Sequence, residues 1–259
     1  MKCYLINLDR SPDRLAFMAN QIKKIGFHLH RISAVDGREL TAEALSELIP
    51  AKRIWKAPIT PTEVGCFLSH KKCLEAIADG EDQYGLILED DVSFSKRAIS
   101  LLQETSWIPV GTDIIKLETQ GKKVLLGELI PCAGSQFSVR QLKSTHILAA
   151  AYIVSKDGAK RILLEMSKVT APVDHFLFNR EYGILNKLSV YQCIPAVCSQ
   201  AGLESTLQEQ RQSIYQNPTF QKRILREIKR LFVRSWLGVR GLWFNLTSKN
   251  IWAKVYHDE

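Results

Sequence analysis

The chain opens on a short apolar run, Cys3 to Leu8, that ends in Asn7-Leu8-Asp9-Arg10-Ser11-Pro12-Asp13-Arg14. Apolar residues then recur at Leu15, Met18, Ile22 and Ile25, the spacing of an amphipathic helix. Phe27 to Ile32 reads as a second strand, Ala34-Val35-Asp36-Gly37 as a tight turn, and Thr41 as the start of a short helix. Thr60-Pro61-Thr62-Glu63 has the form of a capping box, with Thr60 as N-cap and Glu63 reaching back to its amide, which predicts a helix to about Ala78. On that helix Cys66, His70, Cys73 and Ile77 form one stripe facing the body of the domain.

Tyr84 to Leu88 is a compact apolar strand that stops at Glu89-Asp90-Asp91, with a helix expected around Lys96 to Gln103. Further strands are predicted at Ile114 to Leu117, Phe137 to Leu142, His146 to Val154 and Leu188 to Ile194. Helices are predicted at Lys156 to Met166 and Asp174 to Tyr182. Alternating strands and helices predict an α/β domain with a mostly parallel central sheet. Residues 1–200 read as that domain and 201–259 as a C-terminal extension.

A chain of 259 residues, 46% apolar and 24% charged, is long enough for one large α/β core. Its first apolar run is too short for a signal peptide, and no stretch reaches the roughly 20 residues of a spanning helix, so a cytoplasmic protein is expected. The six cysteines include no C-x-x-C pair, which argues against zinc-ribbon or thioredoxin chemistry and for reduced, mostly buried thiols.

The formal charge of +8 is concentrated late in the chain. Nine basic residues against the single acid Glu227 lie between Lys222 and Lys254, leaving the rest nearly neutral. There Ile224, Ile228, Leu231, Phe232 and Trp236 share an apolar face flanked by Arg223, Arg226, Lys229, Arg230 and Arg234. With Trp243, Phe244 and Trp252 as further aromatic anchors, the extension reads as a basic amphipathic helix on an anionic membrane surface. A helix docked on the domain is the plainer alternative; nucleic acid is not an expected partner.

In open α/β sheets ligands bind beyond the carboxyl ends of the strands, where Glu89-Asp90-Asp91 stands. Three adjacent carboxylates repel one another unless a cation or a dense hydrogen-bond network compensates, and a hard ion such as Mg²⁺ or Mn²⁺ bridging a sugar-nucleotide diphosphate would do so. A solvated acidic turn capping the next helix is the other reading. Asp174, after Pro172-Val173, is open between helix-capping and general-base roles, and His70 between a core histidine and a phosphate contact. Arg10 and Arg14 beside the first-strand loop suit diphosphate recognition or ordinary surface ion pairs.

Taken in order, Ile6-Asn7-Leu8-Asp9-Arg10-Ser11 with Asp13-Arg14, Ala34-Val35-Asp36-Gly37, Glu63-Val64-Gly65-Cys66 with Leu68-Ser69-His70, and Leu88-Glu89-Asp90-Asp91-Val92 closely resemble glycosyltransferase family 25. The resemblance covers about residues 2 to 200 and is similar to the bacterial lipooligosaccharide galactosyltransferase branch, with a more distant likeness to collagen galactosyltransferases. It implies a GT-A type Rossmann-like nucleotide-binding fold, a UDP-sugar donor, a Mn²⁺ or Mg²⁺ ion at a D-x-D equivalent, and transfer with inversion. Asp91 then becomes a metal ligand with Glu89 beside it. Asn7, Leu8, Arg10, Arg14, Asp36 and Gly37 become the nucleoside pocket, with Ser69, His70 and Asp90 near the donor. Asp174 becomes the base, and Gln200 or water completes the metal shell.

The implied reaction moves a hexose, galactose foremost, from a UDP-sugar to a lipid-linked lipooligosaccharide acceptor at the inner face of the cytoplasmic membrane. A catalytically silent nucleotide-sugar-binding partner is the alternative. A metal-dependent phosphohydrolase lacks the binuclear His/Asp set it needs.

Overall fold

Alternation along the first strand decides the layering of the molecule. In Cys3-Tyr4-Leu5-Ile6, Tyr4 and Ile6 join one buried apolar cluster while Cys3 and Leu5 join a second on the other side of the sheet. The computed structural model describes residues 1–132, 136–201 and 248–258. Their elements are β1 (Lys2–Asn7), α1 (Pro12–Lys24), β2 (Leu29–Ser33), α2 (Ala42–Leu48), α3 (Pro61–Asp79), β3 (Tyr84–Glu89), β4 (Val92–Phe94) and α4 (Ala98–Leu102). After these come β5 (Ile114–Lys116), β6 (Lys123–Pro131), β7 (Ser138–Leu142), β8 (Ala151–Ser155), α5 (Lys156–Glu165), α6 (Val173–Phe178), β9 (Val190–Ile194), β10 (Cys198–Gln200) and β11 (Ile251–Lys254).

The expected α/β class is the class found. A nine-stranded sheet in the order β11-β6-β7-β9-β5-β8-β3-β1-β2 carries α3, α5 and α6 against one face and α1 and α4 against the other. Parallel pairing holds β1 to β2 and to β3, and β5 to β9; the remaining pairs are antiparallel, so the sheet is mixed. Because β1, β2 and β3 run together, Asn7, Ser33 and Glu89 end at one edge. There β10 pairs with β4 in a small second sheet that sets Gln200 opposite Val92.

The local signals hold where they are strongest. Thr60 caps α3 as expected: its hydroxyl accepts from the Glu63 amide at 3.1 Å and Glu63 returns a carboxylate oxygen to the Thr60 amide at 2.7 Å. All six cysteines are free thiols, and all but Cys66 are buried.

Several boundaries move for tertiary reasons. The strand predicted from His146 begins only at Ala151, because Leu148 adopts a left-handed φ of 84° and turns its carbonyl onto the Lys116 ammonium. The helix predicted from Asp174 to Tyr182 stops at Phe178, where the chain turns at Asn179. β6 was not foreseen. Trp252, read as a membrane anchor, lies in β11 and pairs with Leu125 of β6, while Asp258 forms an ion pair with Arg97. Trp236, Trp243, Phe244 and the basic amphipathic segment as a whole lie outside the described residues. Among the described residues, no helix is long and apolar enough to cross a membrane.

Beneath the carboxyl-end edge lies a buried ion pair. Lys116 Nζ stands 3.9 Å from Glu118 and 3.7 Å from the centre of the Phe178 ring, with both charged side chains excluded from solvent. Burial pulls the Lys116 pKa down and pushes that of Glu118 up. Lys116→Met alone is expected to cost about 3–5 kcal/mol by stranding the carboxylate. Lys116→Met with Glu118→Gln should recover much of that loss in urea unfolding; a double variant as unstable as the single one would refute the pairing.

Candidate functional site

The loops following β1, β2 and β3 meet the first turns of α3 around an open cleft. Leu8, Arg10, Arg14, Asp36, Gly37, Ser69, Glu89, Asp90 and Asp91 line it, joined by Thr62, Cys66 and Gln200. Residues chosen from four separate motifs thus share one cavity.

The Asp36-Gly37 turn is drawn against α3 by backbone contact. Gly37 begins a 3₁₀ turn, Gly37–Glu39, capped by Asp36, and has no need of a positive φ. Its glycine serves close approach: a Cβ there would lie 1.9 Å from the Pro61 carbonyl oxygen, and one on Gly65 would lie 2.4 Å from that of Val35. Ser69 completes the joint, accepting from the Val35 amide at 2.8 Å and donating to the Gly65 carbonyl at 2.7 Å. Gly65→Ala is therefore expected to push the turn off the helix, with a stability loss of about 1–3 kcal/mol in urea unfolding. A variant as stable as wild type would show that the joint has room for a methyl group.

Arg10 donates to Asp36 at 2.6 Å, which holds the Asp36 carboxyl below the usual range and keeps it ionised. Asp90 has both oxygens occupied, one by Asn7 at 2.8 Å and the other by Arg14 at 2.9 Å. Asn7 is buried and does not line the cleft; besides Asp90 it donates to the Ser11 carbonyl and accepts from Arg31. It thus sits behind the acid run, bonded to Asp90, rather than on the cleft wall.

His70 likewise lies behind the cleft wall. Fully buried, it approaches the Tyr152 hydroxyl at 2.9 Å through Nδ1 and Glu89 Oε1 at 3.2 Å through Nε2, while the Cys66 thiol donates to that oxygen at 3.8 Å. Glu89 is thus held in a fixed orientation by groups that do not themselves face the cleft, Cys66 excepted. Cys66, His70 and Glu89 offer ligand atoms within 4.8 Å of one another.

Asp91 is the unsatisfied member of the run. Its Oδ1 is buried with no hydrogen-bond partner among the described residues, and burial, followed by the charges of Glu89 and Asp90, pushes its pKa up to about 7. A buried carboxylate oxygen without a donor, beside two more carboxylates, is a donor set suited to a hard divalent cation. The Asp91 carbonyl accepts from the Ala201 amide at 2.7 Å, which keeps Gln200 at the same cleft.

Asp174 is not among the lining residues. It falls within the first turn of α6 rather than at its cap, which is Pro172, and its carboxylate accepts from the His175 amide at 2.8 Å. It stands near enough to Cys66, on the cleft wall, to raise that thiol's pKa after burial and Glu89 have done so. Phe67 packing edge-on against Phe176 at 5.1 Å locks α6 to α3 and fixes that placement. The Lys116–Glu118 pair went unrecognised in the sequence because nothing local distinguishes a buried lysine.

The sequence also matches known proteins. The model of "Glycosyltransferase family 25 (LPS biosynthesis protein)" matches residues 1–177. A glycosyltransferase 25 family member of Aedes aegypti is 30% identical over 67% of this chain, though the match spans only 30% of that relative's length. The lacto-N-neotetraose biosynthesis glycosyltransferase LgtE of Neisseria gonorrhoeae is 28% identical over 77% of this chain and 74% of its own. Among solved structures, a Drosophila beta-1,4-galactosyltransferase 7 mutant in complex with manganese, UDP-Gal and xylobiose covers 86% of this chain and 78% of its own at 13% identity and a TM-score of 0.38. With the family model matching residues 1–177, more than half of the chain, the chain belongs to glycosyltransferase family 25.

Proposed function

We propose that the chain is an inverting, GT-A type hexosyltransferase that moves a sugar, galactose foremost, from a UDP-sugar to a lipid-linked glycan acceptor of the lipooligosaccharide kind. The observation that carries the reading is the Asp91 oxygen, buried without a partner among the described residues, in a cleft also lined by Arg10, Arg14, Asp36 and Gly37. That lining offers carboxylates for a cation and cationic groups for a diphosphate. Asp91 and Glu89 would hold Mn²⁺ or Mg²⁺, with Gln200 at the same cleft; the ion would offset charge building on the departing UDP.

The chain's own residues supply the rest. Asn7 and Arg14 hold Asp90, and His70 with Cys66 holds Glu89, so the acid run is set before a donor arrives. Asp174 takes the proton of the acceptor hydroxyl as that oxygen attacks the anomeric carbon in line with the leaving diphosphate, and no covalent intermediate is required. Names among the relatives, including the lipooligosaccharide biosynthesis protein lex-1 of Haemophilus influenzae, support the acceptor class.

Purified protein incubated with a panel of UDP-sugars, with and without Mn²⁺, tests the reading through UDP release and donor binding. Metal-dependent release from UDP-galactose supports it. A protein that binds and cleaves no UDP-sugar would favour the silent-partner alternative. Flotation of the full chain with anionic vesicles, compared with neutral ones, tests placement of the basic extension at a cytoplasmic membrane surface.

A further inference from the structure

We propose that Trp55, His175 and Tyr182 form the acceptor subsite, an aromatic platform that holds a neutral hexopyranose residue with one hydroxyl presented to Asp174. This inference rests on the reading of Asp174 as the base and adds to it a binding surface and a ligand class.

The three rings come from separate segments and meet at one point. Trp55 lies in the connection between α2 and α3, His175 follows Asp174 in α6, and Tyr182 lies in the turn after it. The Trp55 and His175 ring centres are 4.5 Å apart, Tyr182 meets Trp55 edge-on at 5.4 Å, and His175 and Tyr182 are 6.5 Å apart. All three are half-buried, so each keeps part of its surface at solvent.

The chain holds this cluster deliberately close. Asn179, itself buried, accepts from the Glu181 and Tyr182 amides at 2.8 and 3.2 Å and lies 3.1 Å from His175 Nδ1. Gly183 lets the turn press onto α6: a Cβ there would lie 2.2 Å from the Phe176 carbonyl oxygen and 2.3 Å from that of His175. Arg53 braces the Trp55 segment by donating to the Pro50 and Ala57 carbonyls. The Trp55 indole N–H is buried with no acceptor among the described residues.

A pyranose ring presents a face of C–H groups and a rim of hydroxyls. Aromatic faces carry negative charge that attracts such C–H groups, and rings with polar tips can also meet the hydroxyl rim. A nucleotide or phosphate would need cationic partners, which the donor cleft supplies through Arg10 and Arg14 and this cluster does not supply from its own three side chains. Location completes the case. Asp174 accepts from the amide of His175, a platform member, and α6 packs through Phe176 on Phe67, the chain neighbour of Cys66 on the donor-cleft wall, so the base lies between the platform and the cleft.

The test is saturation-transfer NMR on the full chain with methyl β-glucopyranoside and methyl N-acetyl-β-glucosaminide, alongside UDP affinity and acceptor-independent UDP release. Wild type should transfer saturation to the ring C–H protons of at least one sugar. Trp55→Ala should abolish that transfer, and Trp55→Phe should restore most of it. UDP affinity and acceptor-independent release should stay within about twofold of wild type, and acceptor KM should rise at least about tenfold in Trp55→Ala. Unchanged sugar signals in Trp55→Ala, or no signal from wild type with either sugar, overturns the platform, as does a parallel fall in UDP affinity. A wild type that signals sugar binding yet releases no UDP from any donor overturns the transferase reading instead.

Discussion

Asp91→Asn is expected to make the metal-free protein more stable at pH 7 while abolishing metal-dependent release of UDP. The stability half follows from linkage. Asp91 titrates near 7 in the folded chain, against a value near 3.8 when unfolded, so the folded state binds its proton more tightly. Native stability from this group is therefore greatest at low pH and falls as pH rises from about 4 to about 7. Asparagine cannot ionise and escapes that loss, worth about 2 kcal/mol once solvent in the cleft mouth is allowed for. Mn²⁺ should reverse the ranking, raising the melting temperature of wild type at pH 7 and leaving the variant unmoved. Calorimetric melting from pH 4 to 8, with and without Mn²⁺, reads both effects. A variant less stable than metal-free wild type at pH 7 would show that the carboxylate is already compensated within the protein.

Asp174→Asn should behave differently. The side chain lines no part of the donor cleft, so UDP-sugar affinity should change less than about twofold, while kcat for transfer falls by about 10²–10⁴, the usual contribution of a positioned base. Asparagine keeps an oxygen able to accept from the His175 amide, so the first turn of α6 should survive the exchange. Stopped assays of transfer beside donor titration separate the two quantities. A joint loss of binding and turnover would mean that Asp174 supports the donor rather than the acceptor.

Much of this was legible in the sequence because the deciding interactions are local. The α3 capping box needs only Thr60 and Glu63, three residues apart, and the acid run could be placed because an apolar strand stops there. What escaped depends on distant partners. Asn7 and Asp90 are 83 residues apart, so nothing local announced the bond between them. Gly37 signalled a turn, yet its purpose is contact with Pro61. β6 was invisible because its pattern is broken by Gly127 and half exposed, and one of its neighbours, β11, lies more than a hundred residues further on. Aromatic residues at 55, 175 and 182 carry no spacing signal at all until the fold brings them together.

The return of the chain to the sheet at Ile251–Lys254 changes how the basic segment can be studied. A stop codon after Ala201 would remove more than that segment. It would strip the outermost strand from the sheet, expose the edge of β6 to pairing with other chains, and leave Arg97 without Asp258. Loss of activity or solubility in such a truncation would say nothing about membranes. The informative deletion is an internal one, rejoining Ala201 to Ser248 through a flexible linker. Since the Ala201 amide is hydrogen-bonded to the Asp91 carbonyl, the splice point itself adjoins the acid run, and donor affinity should be the control that such an excision has left the cleft intact.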